Sequence, residues 1–334
     1  MSKSGPLVIG LDLGDEEQNP STFLECIRLA EQLKFKVAWL GDHFMPWVDM
    51  GKRSSFVWAL IAASLQTTHR IKVGPYVTCP IGGRYHPAII AQASATLDNL
   101  YPRRFLLAVG TGEAINEEYF LGYWPKWNER LERLTESLRL IRELWNEDGH
   151  FDFQGKYFPA KQIFLYTKPK TPIGIYFSAT GPRSAFSAGK HGDHLITLSS
   201  INPLERCRTT IFPRFDEGVR SAGKDPRKAE KIVSVRYTFD DEKEFLEKSR
   251  RRAAIMTRVA LDEADPREIE RLGLSVADAD LLKRTNFCSD WNDLIEILNK
   301  FHDIGATQVT LPSGADRVEI EKIAKHVLPS FSGS

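Results

Sequence analysis

The stretch GDHFMPW (41–47) packs an acid, an imidazole and an indole into one turn, directly after the apolar run KVAWL. Imidazole titrates nearer neutrality than other side chains, so His43 is a candidate for moving a proton. Asp42 can cap the turn that follows, and Trp47 supplies a large apolar surface beside them. A second segment, GTGEAINE (110–117), holds Glu113 just beyond two glycines. It is not a dinucleotide fingerprint, because the third glycine is replaced by Ile115. Its physical content is that the backbone at Gly110 and Gly112 can approach a planar or phosphorylated ligand closely. SATGPRSA (178–185) sets Pro182 at the first position of a helix and offers a phosphate seat on that helix N-terminus. HGDH (191–194) spaces two histidines three apart, a pair that could hold a metal, but it enters a strand from the wrong end to share a site with the others and reads as structural.

The elements that carry these segments alternate. Eight short apolar runs read as strands: LVIGLDL (7–13), KVAWLGD (36–42), IKVGPYV (71–77), RFLLAVG (104–110), IGIYFSA (173–179), HLITLSS (194–200), IVSVRYTF (232–239) and QVTLPSG (308–314). Between them lie helical patterns. TFLECIRLAEQL has Ser21 as its expected N-cap, residues 54–67 suit a buried helix, PAIIAQASATLDNL opens on Pro87, and the helix at 204–223 should bend at Pro213. Strands rich in Val and Ile suit parallel pairing with both faces covered. Eight strand–helix units in 334 residues predict one (β/α)8 TIM barrel, with inserted segments near 41–53, 147–170 and 257–287. In such a barrel, catalytic groups sit at the C-terminal ends of the strands. GDHFMPW, TCPIGGRYHP, GTGEAINE and ATGP follow strands two to five and would converge on one mouth.

Composition narrows the class. Lys and Arg total 45 against 44 Asp and Glu, a net charge of +1, so no overall field recruits nucleic acid or an anionic membrane. No apolar run is long enough to span a bilayer. Cys26, Cys79, Cys207 and Cys288 are widely separated and form no CxxC pair; they read as reduced thiols of a cytoplasmic protein, without a metal site.

Taken in order, DHFMPW, RYHPAIIAQASATL, LYPRRF, AVGTGEAINE, FLYTKP and YFSATGP resemble the bacterial-luciferase-like superfamily, within it the dehydrogenases that use the deazaflavin coenzyme F420. The resemblance covers nearly the whole chain and implies a homodimeric oxidoreductase acting on hydroxyl-bearing carbons. His43 falls where that family sets a histidine between coenzyme and substrate, and Trp47 on its aromatic residue beside the reacting carbon. Glu113 falls on the glutamate near the ring nitrogen that gains a proton, and Glu17 on an acid of the substrate side. Asp42, Thr111, Gly112 and Asn116 match coenzyme-contacting positions. Ser178, Ala179, Thr180 and Gly181 match the loop that holds the phosphate arm, and Tyr76–Val77 a non-proline cis peptide against the ring. His43 and Glu113 are the candidate base and acid, in either assignment.

Two branches of the family compete, sugar-phosphate dehydrogenases and secondary alcohol dehydrogenases. Arg284 lies where the sugar-phosphate branch has a phosphate-binding cation. Arg236 replaces a tryptophan that walls a small pocket in the alcohol branch, and Arg258 can stand in for a second cation. The lysine the sugar-phosphate branch carries after strand six is replaced by Ile201. Guanidinium groups bind phosphate bidentately, so the arginines favour a sugar 6-phosphate, with the secondary alcohol as the alternative and a flavin (FMN) monooxygenase as a more distant one.

Overall fold

The computed structural model describes residues 5–14, 18–49 and 52–331. Eight parallel strands form the barrel: β1 (Val8–Leu13), β2 (Val37–Leu40), β3 (Lys72–Pro75), β4 (Leu107–Val109), β5 (Ile175–Ser178), β6 (His194–Leu198), β7 (Lys231–Ser234) and β8 (Gln308–Pro312). Their order around the sheet is β3-β2-β1-β8-β7-β6-β5-β4. The seam between β3 and β4 is closed by two separated bridges, Val73 to Phe105 and Thr78 to Val109. Leu106 N–H donates to the Val73 carbonyl and Gly110 N–H to that of Thr78, both at 3.0 Å. Between the bridges the Tyr76–Val77 peptide is cis.

The main helices are α1 (Pro20–Gln32), α2 (Val57–Gln66), α3 (Pro87–Leu100), α4 (Ala114–Leu121), α5 (Trp127–Asn146), α6 (Pro182–His191), α7 (Phe212–Ser221), α8 (Trp291–Asp303) and α9 (Arg317–His326). They cover the outside of the sheet and bury its outward side chains in one continuous core. β2 and β4 are buried at every residue, which is why their sequences read as unbroken apolar runs. Inside the barrel a smaller cluster of Val37, Trp39, Leu106, Ala108, Tyr176, Ile196 and Ile232 fills the bore. Trp39 is fully buried and meets Tyr176 edge-on at 5.4 Å and Tyr76 at 5.6 Å.

The structure departs from the sequence expectations in four places. α1 begins two residues earlier, with Asn19 at the N-cap and Pro20 inside the first turn, so Ser21 is already helical. GTGEAINE is not all loop: Glu113 is the N-cap of α4. The helical stretch from Leu204 carries a π turn over Cys207–Ile211 just before Pro213, whose missing N–H cannot close an α-type bond. β7 stops at Ser234, and Tyr237–Thr238 leaves the barrel to pair with Asn286–Phe287. Arg236 therefore lies past the strand end, not within the strand, which relieves it of facing the core.

Residues Phe151–Phe153 and Ala160–Ile163 form an antiparallel pair between α5 and β5. The segment after β7 carries helices at Glu242–Ser249 and Pro266–Leu274 and packs beside the barrel mouth. Its Ala254, Ala260 and Ile269 bury Val48 and Ile115, with Met45 and Trp47 against them. Asp262 accepts hydrogen bonds from Trp124 Nε1 at 2.6 Å and Arg130 Nη1 at 3.3 Å, which tie this segment to the start of α5.

Candidate active site

The turn after β2 buries Asp42 against a guanidinium. Arg84 makes an ion pair with the Asp42 carboxylate and also donates to the Asp42 carbonyl at 3.2 Å. Tyr85 hydroxyl donates to Asp42 Oδ1 at 3.0 Å. A buried carboxylate needs such partners, and here they fix the residue before His43. The His43 and Trp47 rings meet edge-on at 5.2 Å, and Ser54 Oγ donates to the His43 carbonyl at 2.7 Å. Burial pulls the His43 imidazole down to about 4, because charging it costs solvation that the pocket does not return. The ring is neutral at neutral pH and able to accept a proton.

The second proton-bearing group comes from β4 and α4. Glu113 Oε2 accepts from Asn116 Nδ2 at 2.9 Å, and Asn116 Oδ1 accepts from Phe44 N–H at 2.8 Å. Burial raises the Glu113 carboxyl, against the lowering pull of that hydrogen bond and of Arg84 and Arg130. One turn on, Glu117 is also buried and pushed up to about 8, mainly by desolvation. Gly112 makes the approach to these acids. Its φ is +79°, and a Cβ there would lie 2.6 Å from Cys79 Sγ. Gly112→Ala combines a left-handed L-residue with that overlap, so we expect a loss of at least about 1–2 kcal/mol in denaturant unfolding. Unchanged stability would contradict tight packing of Gly112 against Cys79.

A cavity of about 470 Å³ opens at the C-terminal ends of the strands. Of the residues singled out from sequence, His43, Trp47, Tyr76, Val77, Glu113, Ser178, Arg236 and Arg258 line it. Asp42 and Asn116 are buried behind His43 and Glu113. Thr111 and Gly112 occupy the turn between β4 and α4, and Ala179, Thr180 and Gly181 continue from Ser178 to the N-cap of α6. Asn202 Nδ2 donates to the Thr180 carbonyl at 3.2 Å, holding that loop. Glu17 lies outside the described residues. Arg284 does not line this cavity. It borders an adjacent one of about 230 Å³ and donates to the carbonyl of Ser200, whose other side faces the main cavity.

Arg236 is locked through its backbone: its N–H donates to Ser199 Oγ at 3.1 Å and its carbonyl accepts from Asn286 Nδ2 at 2.7 Å. Arg258 has φ +69°, a left-handed conformation that costs an L-residue about 1–2 kcal/mol. Neither guanidinium donates a hydrogen bond to a described residue. The cavity also holds Asp12 and Arg252, which sequence reasoning missed. Asp12 is an acid inside a strand, the one polar interruption of LVIGLDL, and Arg252 ends the charge run SRRR just before the apolar AAIM. Both breaks in patterning were available signals. Arg84, Tyr85 and Glu117 were missed as well, although each stands inside a quoted motif.

Residues 6–308 match the family described as luciferase-like monooxygenase. The chain is 34% identical over 304 residues to the F420-dependent glucose-6-phosphate dehydrogenase of Mycolicibacterium gilvum, covering 90% of each chain. It is 33% identical over 330 residues to the enzyme of that name from Rhodococcus erythropolis, covering 97% of each. Among solved structures, an F420-dependent secondary alcohol dehydrogenase in complex with an F420-acetone adduct superimposes with a TM-score of 0.90 at 32% identity, over 99% of this chain and 100% of that one. With the family model matching residues 6–308 and relatives 33–34% identical over at least 90% of its length, the chain belongs to the luciferase-like family.

Proposed function

We propose that the chain is a coenzyme F420-dependent dehydrogenase that oxidises a hydroxyl-bearing carbon, with a sugar 6-phosphate such as glucose 6-phosphate as substrate. The observation that carries the reading is one cavity holding a neutral imidazole, a buried carboxyl, and the guanidinium groups of Arg236 and Arg258, which donate to no described residue. The residues fit the coenzyme. Val77, Ile196 and Leu198 offer an apolar bed for a planar ring, while Gly14, Gly41 and Gly314 present no side chain to it. The Ser178–Gly181 turn leads into the N-terminus of α6, which suits a phosphate arm.

The deazaflavin, when bound, supplies the carbon that accepts the hydride. His43 takes the proton of the substrate hydroxyl as the carbon–hydrogen bond breaks, which its neutral state allows. Glu113 delivers the proton that balances the added hydride, which its raised carboxyl favours. Trp47 walls the reacting carbon, and Arg236 and Arg258 hold the phosphate. The same reading includes a homodimer in the cytoplasm. The buried reduced cysteines support the location, and the exposed aromatic contacts of Phe44, Tyr119 and Phe120 support a partner surface.

A second reading, a secondary alcohol dehydrogenase, is supported by the 0.90 TM-score and by Arg284 standing outside the cavity. Fluorescence titration and steady-state assays separate the possibilities. We expect coenzyme F420 to bind more tightly than FMN, and glucose 6-phosphate to bleach its absorbance faster than 2-propanol does. Tighter FMN binding overturns the coenzyme assignment. Ready oxidation of 2-propanol, with no response to sugar phosphates, selects the second reading.

A further inference from the structure

The first turn of α4 reaches the Asp42–Phe44 turn by two routes. Asn116 takes the Phe44 N–H directly at 2.8 Å. Glu117 takes the Arg84 N–H at 2.9 Å, and the Arg84 side chain grips Asp42 through both its carboxylate and its carbonyl. His43 lies between the two gripped residues. Glu113 stands at the N-cap of the same helix. One rigid turn therefore carries the acid and holds both neighbours of the imidazole.

We propose that Glu117 is a positioning residue that, through Arg84 and Asp42, keeps His43 in register with Glu113. The proposal rests on the reading of His43 and Glu113 as the pair that moves protons. The carboxyl has no room to swing. A side chain on Gly83 would run into Glu117 Oε2, and one on Gly112 would come within 3.0 Å of its Cγ. The turn after β3 faces it with Arg84, Tyr85 and Cys79, and its own helix faces it with Glu113. Arg130 of α5 faces Glu113 and Cys79 from behind. Burial raises the Glu117 carboxyl to about 8, so at neutral pH it is predominantly a neutral acceptor and adds little charge beside Glu113. A fixed acceptor, not a charge, is then what the site takes from this residue.

That distinction sets the test. Glu117→Gln keeps an acceptor for Arg84 N–H, and Glu117→Ala removes it. We expect Glu117→Ala to lower kcat about 10- to 100-fold, with KM and the coenzyme dissociation constant changed less than about threefold, and Glu117→Gln to stay within about threefold of wild type throughout. Independently of coenzyme, the His43 imidazole can be followed by NMR titration of the ligand-free protein. In Glu117→Ala its midpoint should rise from about 4 toward the ordinary histidine range, and in Glu117→Gln it should not move. The NMR result reads positioning even where the enzymatic reading fails. A wild-type kcat with only a lowered Tm in Glu117→Ala overturns the proposal, as does an equal defect in both variants. If Glu117→Ala does not fold, Arg84→Met breaks the next link, and an unmoved His43 midpoint in that variant overturns it equally.

Discussion

His43→Ala and Glu113→Gln should each lower kcat by roughly 10²–10⁴-fold while coenzyme affinity stays nearly unchanged. The expectation follows from burial. The cavity holds the imidazole neutral down to about pH 4 and pushes the carboxyl upward, so one group is ready to accept a proton where the other is ready to give one. Removing either leaves a proton without a carrier in a site with few others. The sign of the pH dependence is fixed as well. Activity that needs neutral His43 falls as pH drops toward about 4, and activity that needs protonated Glu113 falls as pH rises past its elevated midpoint. Each variant should lose its own limb of the kcat profile. Near-wild-type turnover in either variant would remove that residue from the mechanism.

Arg236→Ala should cost roughly 30-fold or more in kcat/KM for a sugar phosphate. Truncating one member of a buried charge pair costs about 2–5 kcal/mol, and about 1.4 kcal/mol is tenfold in rate. Arg258→Ala should act in the same direction. The sequence points first to Arg284, but its guanidinium is engaged with the Ser200 carbonyl outside the main cavity, so Arg284→Ala should have the smaller effect. Inorganic phosphate should compete with the sugar phosphate, less well in Arg236→Ala. Indifference to phosphate together with an unaltered kcat/KM in that variant would reduce these arginines to solvated cations.

The barrel was legible because periodicity reports burial. Eight runs buried on both faces can hardly look otherwise, and Pro87 and Pro182 mark helix starts where a missing N–H does no harm. α4 was not legible. Its first turn, AINE, is buried and holds Asn116 and Glu117, polar residues whose partners come from other loops, so no apolar stripe announces a helix. The end of β7 was misread for the opposite reason. VRYTF continues the β pattern, yet Tyr237 and Thr238 find their strand partner in residues 286–287, some fifty positions away. The positions of His43, Trp47 and Glu113 followed from the strand-end rule and family motifs, whereas Arg84, Asp12 and Arg252 depend on where loops meet. Local sequence carries no record of that.

Trp39, packed between Tyr76 and Tyr176, plugs the bore and makes it a blind well. Among the described residues the apolar cluster around these rings fills the bore, and the segment tied down by Asp262 packs beside the mouth. Two ligands that share such a well must queue. If coenzyme and substrate share the well, whichever lies deeper should arrive first and depart last, so a plugged barrel would set the order of binding and release before any affinity is considered.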